Sequence, residues 1–196
     1  MPRISYVDPA TITDPELAGY IEDSRKYGTP RVESQAIRAH VPAVLRSFNR
    51  AWQTTFREGV VDHNIKELCR VFVAKSLECG YCAGQRSHVA TANGLTEREF
   101  DEVIEFREST VLSEREKAAL LLAEAIAWDP LMADDEVWAK LHEHFTEPEL
   151  VELGYFIGLT MGQQKFLKTL NIKHGELGLE NTAGLAPDVA ATLIAR

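Results

Sequence analysis

The chain has 196 residues, 45% of them hydrophobic and 26% charged, the make-up of a globular protein with room for one substantial core. Its net charge of -9 and pI near 5.2, with no compensating run of Lys or Arg, exclude nucleic acid or an anionic membrane surface as the main partner. The opening MPRISYVDPATITDPE lacks a signal-peptide pattern and no apolar run reaches the roughly 18 residues of a membrane span, so a cytoplasmic protein is expected.

Residues 1–13 read as an extended arm. Asp14-Pro15-Glu16 is a helix start, with Asp as N-cap and Pro at the first helical position, and the helix is predicted to run to about Lys26. Tyr27-Gly28-Thr29-Pro30 breaks it. A second short helix covers roughly Glu33 to His40, and Pro42 opens a longer one, with Val44, Leu45, Phe48, Trp52 and Phe56 as its apolar face and Gly59 as its end. His40 lies at the joint between them, where a capping or surface role is the commoner one.

In the next segment Ile65, Leu68, Cys69, Phe72, Val73, Ser76 and Leu77 recur at helical spacing and mark a buried stripe. Glu67 falls on the opposite side, beside Val71 and Ala74, so its carboxylate is embedded in a second, narrower apolar strip and must be partnered or face solvent. Glu78-Cys79-Gly80 interrupts this helix, and another is predicted from the cysteines to Asn93-Gly94. Cys79 and Cys82 then occupy a first helical turn, where free N–H groups and the helix dipole favour thiolate and three-residue spacing brings the sulfurs within reach of each other. A dithiol that opens and closes is the natural reading. Cys69, the remaining cysteine, lies on the apolar stripe and reads as a core residue. Structural zinc needs four ligands, and no second C-x-x-C or H-x-x-x-H supplies them, so neither metal nor other cofactor is expected.

Three capping boxes follow, Thr96 with Glu99, Ser113 with Glu116 and Thr146 with Glu149, each ahead of an amphipathic run. They predict helices over about 97–107, 114–128 and 147–169, joined by others near 135–144 and 187–195. No stretch alternates with period two, so the fold class is all-α in a single domain. Gly154, Gly158 and Gly162 share one face of the 147–169 helix, which predicts close approach of another helix.

Glu67, eleven intervening residues and Cys79-Gly-Tyr-Cys82 together resemble the thiol-active branch of the carboxymuconolactone decarboxylase and alkylhydroperoxidase D family, with E-x(11)-C-x-x-C-x-x-x-H as its pattern. The resemblance covers about residues 40–170, including LSEREKAALLLAEAI and FTEPELVELGYFIGLT, and leaves an N-terminal arm with helices to about residue 60 and a tail over 171–196. It implies an AhpD-like helical bundle assembling as a homo-oligomer, a trimer or hexamer or else a dimer. It also implies a peroxiredoxin-type peroxidase in which Cys82 reduces a hydroperoxide, Cys79 resolves the sulfenate as a disulfide, and an external dithiol, thioredoxin-like or lipoyl-type, restores the pair.

The sequence departs from that pattern where the family's histidine is replaced by Arg86. On a continuous helix Arg86 shares the face of Cys82, whereas His88 lies about 240° round, so an ion pair between Glu67 and Arg86 close to the dithiol is expected, with Glu67 as base. Tyr81 and His88 are accessory candidates, Tyr81 as donor to a leaving hydroxide. Family resemblance favours Cys82 as the attacking sulfur; position in the helical turn favours Cys79. Competing functions are thiol–disulfide exchange or redox sensing, a non-redox family member binding a small organic acid through Arg86, His88, His142, His144 and Gln163-Gln164-Lys165, and a scaffold with incidental cysteines. Trp52, Trp128, Trp138, Phe156 and Phe166 are more aromatic bulk than a small helical monomer needs, which points to an assembly.

Overall fold

The computed structural model describes residues 1–177, 182 and 184–195. Among these the regular structure is helical and the only strand-like feature is one isolated antiparallel bridge, Gln85 with Leu185. Helix α1 spans Pro15–Tyr27, capped by Asp14 through bonds from the Glu16 and Leu17 amides. After α2 (Val32–Arg38), α3 (Pro42–Trp52) runs on into a wider turn over Gln53–Arg57. The central helix, α4, spans His63–Ser76. The cysteines follow on the short α5 (Gly80–Ala83), then α6 (His88–Ala92) and α7 (Glu97–Glu102). The second half comprises α8 (Glu114–Ala127), α9 (Asp135–His144), α10 (Glu147–Thr169) and α11 (Pro187–Ile194).

All three capping boxes form as their sequences require. Helix α4 is wrapped by α8 and α10, and its stripe of Leu68, Cys69, Phe72 and Val73 is sealed against Leu120, Leu153 and Ile157. A second cluster of rings, Phe48, Trp52, Phe56 and Phe156, fastens α3 to α10, with Phe56 and Phe156 stacked at 5.1 Å. A third, smaller cluster surrounds the cysteines with Ile37, Ala74, Leu167, Leu170 and Ile172. With α4 buried on both its stripes, a polar side chain on its inner strip has no route to water.

The helix expected to continue from the cysteines to Asn93 is broken in two. Gly84 leaves α5, and the chain from Gln85 to Ser87 is held extended by the tail: Arg86 N–H donates to Gly184 O at 2.8 Å and Ala186 N–H to Gly84 O at 2.8 Å. Gly28, at φ 77°, makes room for this turn; a Cβ there would sit 2.6 Å from Arg86 O, so the C-terminal end of α1 must be glycine for both reasons. The expected helix over 97–107 likewise stops at Glu102, and a short 3-10 turn covers Phe106–Glu108.

The glycines of α10 do not mediate close packing. A Cβ built at Gly154, Gly158 or Gly162 meets no atom within 4 Å. Their side of the helix also exposes Val151, Tyr155 and Phe166. The aromatic surplus divides: Trp52 and Phe156 are buried in the core, while Trp128, Trp138 and Phe166 are exposed. Among the described residues no helix is long and apolar enough to cross a membrane.

Candidate active site

Glu67 lies with Val71 and Ala74 on the inner strip of α4, and all three are 0% exposed. A carboxylate there requires a partner, and it has one from its own helix. Arg70, one turn on and 2% exposed, forks onto Glu67, donating from Nε to Oε2 at 2.6 Å and from Nη2 to Oε1 at 2.8 Å. The same guanidinium donates from Nη1 to Cys82 O at 2.9 Å and from Nη2 to Gln85 O at 2.7 Å. Glu67 Oε1 also accepts the Ser87 amide at 2.9 Å. The buried ion pair therefore fixes the backbone on both sides of the turn that follows Cys82.

Ser87 extends the network. Its hydroxyl meets His63 Nε2 at 2.7 Å, and His63 Nδ1 meets Phe56 O at 2.8 Å. A carbonyl only accepts, so Nδ1 carries the proton and Nε2 accepts from Ser87. Burial holds His63 below the ordinary histidine range, in keeping with this neutral form.

The expected pair between Glu67 and Arg86 is not formed. Arg86 donates to Glu97, from Nε to Oε1 at 2.8 Å and from Nη2 to Oε2 at 2.7 Å, lies over the Phe100 ring, and curls back to Ala83 O and Gln85 O. The reason is the break at Gly84, which removes Arg86 from helical register with Cys82. Glu67 accepts three hydrogen bonds, from Arg70 and the Ser87 amide, and makes none to either sulfur, so it does not contact the thiols it was expected to serve as base. Tyr81 also turns elsewhere: its hydroxyl donates to Glu33 Oε2 at 3.1 Å, and its ring stacks on His174 at 4.4 Å. His88 Nδ1 meets Lys26 O at 2.7 Å and ties α6 to the end of α1. His142 and His144 are on α9, away from the cysteine turn, and His40 meets Ser5 O at the surface.

The two site sulfurs are 2.6 Å apart, with Cys79 3% and Cys82 2% exposed and neither in a disulfide. Closing to a bonded pair needs about half an ångström more. Cys79 is drawn down to about 7, chiefly because the Cys82 thiol donates to it, against a burial cost and with help from Lys168 and Arg70. Cys82 is pushed the other way by that same donated bond and by burial, with Arg70 and Arg38 opposing the rise. The pair thus holds one proton between two sulfurs near neutrality. Cys69 is different: fully buried, with its thiol raised by burial and its Sγ 3.7 Å from Ala119 O, it is a core residue. Among the described residues, no three His, Cys, Asp or Glu side chains converge as a metal site.

This sharing predicts a thiolate titration. Ultraviolet thiolate absorbance should rise through a midpoint near 7 and correspond to one thiolate per pair. Below the midpoint Cys79 is protonated, above it ionised. In Cys82→Ala the donated bond is gone while burial remains, so the midpoint should move up to or beyond the ordinary thiol value of about 8.5. An unmoved midpoint would show that Cys82 does not supply the shift.

Cys82 opens onto a cavity of about 30 Å³ whose lining includes Arg38, Phe48, Trp52, Arg70, Gln163 and Gln164. Arg38 lies flat on Phe48, 3.6 Å from the ring centre. Burial draws its guanidinium down to about 10, which leaves it charged at neutral pH. Of the polar cluster expected to bind an organic acid, Gln163 and Gln164 reach this cavity while Lys165 is exposed.

The fold that carries this turn has counterparts among known proteins. Residues 42–125 match the model of the carboxymuconolactone decarboxylase family. The chain resembles that family over this stretch. Protein Rv2313c of Mycobacterium tuberculosis is 31% identical over 110 residues, 56% of this chain and 39% of the relative's own length. The similarity therefore spans well under half of that relative. Two solved structures share the fold of the family domain and its surroundings. The debrominase Bmp8, in complex with 2,3,4-tribromopyrrole, matches with a TM-score of 0.75 at 17% identity, over 100% of this chain and 99% of its own. A peroxidase-related protein with an alkylhydroperoxidase AhpD core, from Ralstonia eutropha, matches with a TM-score of 0.72 at 17% identity, over 88% of this chain and 91% of its own. The carboxymuconolactone decarboxylase fold, AhpD-like and all-helical, is thus the frame on which the dithiol is mounted.

Arg70, Arg38 and Trp52 are the site residues that sequence reasoning passed over. A signal existed for Arg70, since i and i+3 on a helix are neighbours and Glu67 demanded a partner. For Arg38 nothing local pointed inward, and Trp52 was legible only as part of the apolar face of its helix; both reach the cavity where α2 and α3 meet α10, through Gln163 and Phe156.

Proposed function

We propose that this chain is a dithiol peroxidase in which Cys82 attacks the oxidant and Cys79 resolves it. The observation that carries this reading is the juxtaposition of two sulfurs 2.6 Å apart, one of them facing a small cavity under two guanidinium groups. The proton of the pair moves to Cys79, and the Cys82 thiolate, stabilised by Arg38 and Arg70, attacks the terminal peroxide oxygen. The S–O bond forms, the O–O bond breaks, and the alkoxide or hydroxide takes the proton held on Cys79 and leaves as alcohol or water. The Cys79 thiolate then attacks the sulfur of the Cys82 sulfenic acid, closing the disulfide and expelling hydroxide, which takes a proton from solvent, and an external dithiol reduces the disulfide by exchange. Glu67 and Arg70 act as positioning residues, through the Cys82 carbonyl. A cytoplasmic setting suits the dithiol donor, and the exposed apolar side of α10 suits a homo-oligomer.

A second reading, reductive removal of halide from a small aromatic ring, draws on the full-length likeness to debrominase Bmp8 and on the Phe48 and Trp52 walls. Cavity size favours the first. An aromatic guest needs about 150 Å³, whereas about 30 Å³ holds the head of a hydroperoxide. The test is consumption of tert-butyl hydroperoxide by the reduced protein with dithiothreitol as donor, set against bromide release from 2,3,4-tribromopyrrole. Stoichiometric disulfide formation with the hydroperoxide and no bromide is the expected result; bromide release without peroxide consumption would replace the first reading by the second.

A further inference from the structure

We propose that the cavity beside Cys82 receives a planar two-oxygen anion, and that the oxidant it suits is a peroxycarboxylic acid, whose leaving group is a carboxylate. The chemistry of this inference rests on the peroxidase reading; the binding does not. Arg38 is 5% exposed and three of its five N–H groups are taken, two by Gln163 Oε1 at 3.3 and 3.0 Å and one by Gln35 Oε1 at 3.2 Å. Both acceptors are neutral amides. Gln35 is locked in turn by its bond to Asn49 Oδ1 at 2.6 Å, and Asn49 by its bond to Leu45 O at 2.7 Å. Among the described residues no carboxylate pairs with Arg38, whose face is covered by Phe48. A buried cation of this kind calls for an anion, and a guanidinium with one N–H left on Nη1 and one on Nη2 matches one with two oxygens.

Two more residues of the cavity lining carry a buried polar atom without a partner. Trp52 Nε1 and Gln164 Oε1 make no hydrogen bond, although both residues are 4% exposed. The Gln164 amide nitrogen is already committed, to Arg70 O at 3.1 Å and Thr160 Oγ1 at 2.9 Å, which leaves its oxygen free. The cavity thus offers donors on Arg38 and Trp52 and one acceptor on Gln164. A peroxycarboxylic acid presents the complement: two oxygens to accept and one terminal O–H to donate.

The leaving group decides the class. Glu67 is ionised and held by Arg70 and Ser87, Arg70 and Arg38 keep their protons, and Tyr81 is turned to Glu33, so apart from the thiol pair none of these groups around Cys82, among the described residues, protonates an alkoxide. A carboxylate needs no proton. The Cys82 thiolate bonds to the terminal oxygen, the O–O bond breaks, and its electron pair leaves on the carboxylate, giving Cys82 sulfenic acid with no proton drawn from the protein.

The binding is tested with formate, titrated calorimetrically into the disulfide form, where no thiolate competes for Arg38. Formate should bind, more weakly to the reduced protein, and lose affinity roughly tenfold or more in Arg38→Gln and several-fold in Trp52→Phe. Trp52→Phe keeps the ring in the core, so it reports on the N–H alone should Arg38→Gln fail to fold. Absent binding, or binding indifferent to both substitutions, overturns the subsite. In turnover, the ratio of kcat/KM for peracetic acid to that for tert-butyl hydroperoxide should fall about tenfold in Arg38→Lys, which keeps charge but not the fork; an unchanged ratio overturns the substrate class. Formate binding with neither oxidant consumed would keep the subsite and remove the peroxidase reading and the peracid class built on it.

Discussion

Cys82→Ser should abolish peroxide turnover, a loss of roughly 1,000-fold or more, equivalent to about 4 kcal/mol of transition-state stabilisation. Cys79→Ser should behave differently. With the resolving thiol gone, Cys82 is still oxidised once, so the variant consumes one equivalent of hydroperoxide and stops at sulfenic acid, which a dimedone adduct locates by mass spectrometry. The contrast follows from position: Cys82 lines the cavity, whereas Cys79 is packed with Leu167 and Leu170 and reaches the oxidant only through its neighbour. The acidity of Cys79 does not reverse this, because the proton lies between sulfurs 2.6 Å apart and its transfer is short. Adduct on Cys79 in Cys82→Ser protein, and none on Cys82 in Cys79→Ser protein, would exchange the two roles.

Arg70→Met should cost about 3–5 kcal/mol of folding stability, read from urea unfolding, because it strands a carboxylate that is 0% exposed. It also frees the carbonyls of Cys82 and Gln85, so disulfide closure after a single oxidant pulse should slow. Glu67→Gln, which retains an acceptor for one N–H of the fork, should cost less. The double variant Glu67→Gln/Arg70→Met should recover part of the sum, as expected of residues that share one interaction. Strict additivity would mean that the two residues are not coupled, contrary to their geometry.

Helix starts were legible wherever a local device sets them. Asp14-Pro15 and the boxes at Thr96, Ser113 and Thr146 act within one turn, and each forms as written. Glu67 was legible as an embedded carboxylate because periodicity reports burial. Its partner was misassigned through one error, the continuation of a helix past Gly84 to Arg86. What ends that helix is a bridge to Leu185, about a hundred residues further along, and no local pattern carries such information. The α10 glycines misled for the opposite reason: small residues permit close approach without requiring it, and here nothing approaches. The cavity depends on α2, α3 and α10 meeting over Cys82, so its lining became visible only in three dimensions.

The guanidinium of Arg70 grips the main chain of Cys82 and leaves the side chain alone. A hold of that kind is blind to oxidation state: thiol, sulfenic acid and disulfide all present it with the same oxygen. The framework behind the sulfurs therefore has no reason to rearrange as electrons come and go, and what moves in each cycle is confined to the two Cβ–Sγ arms.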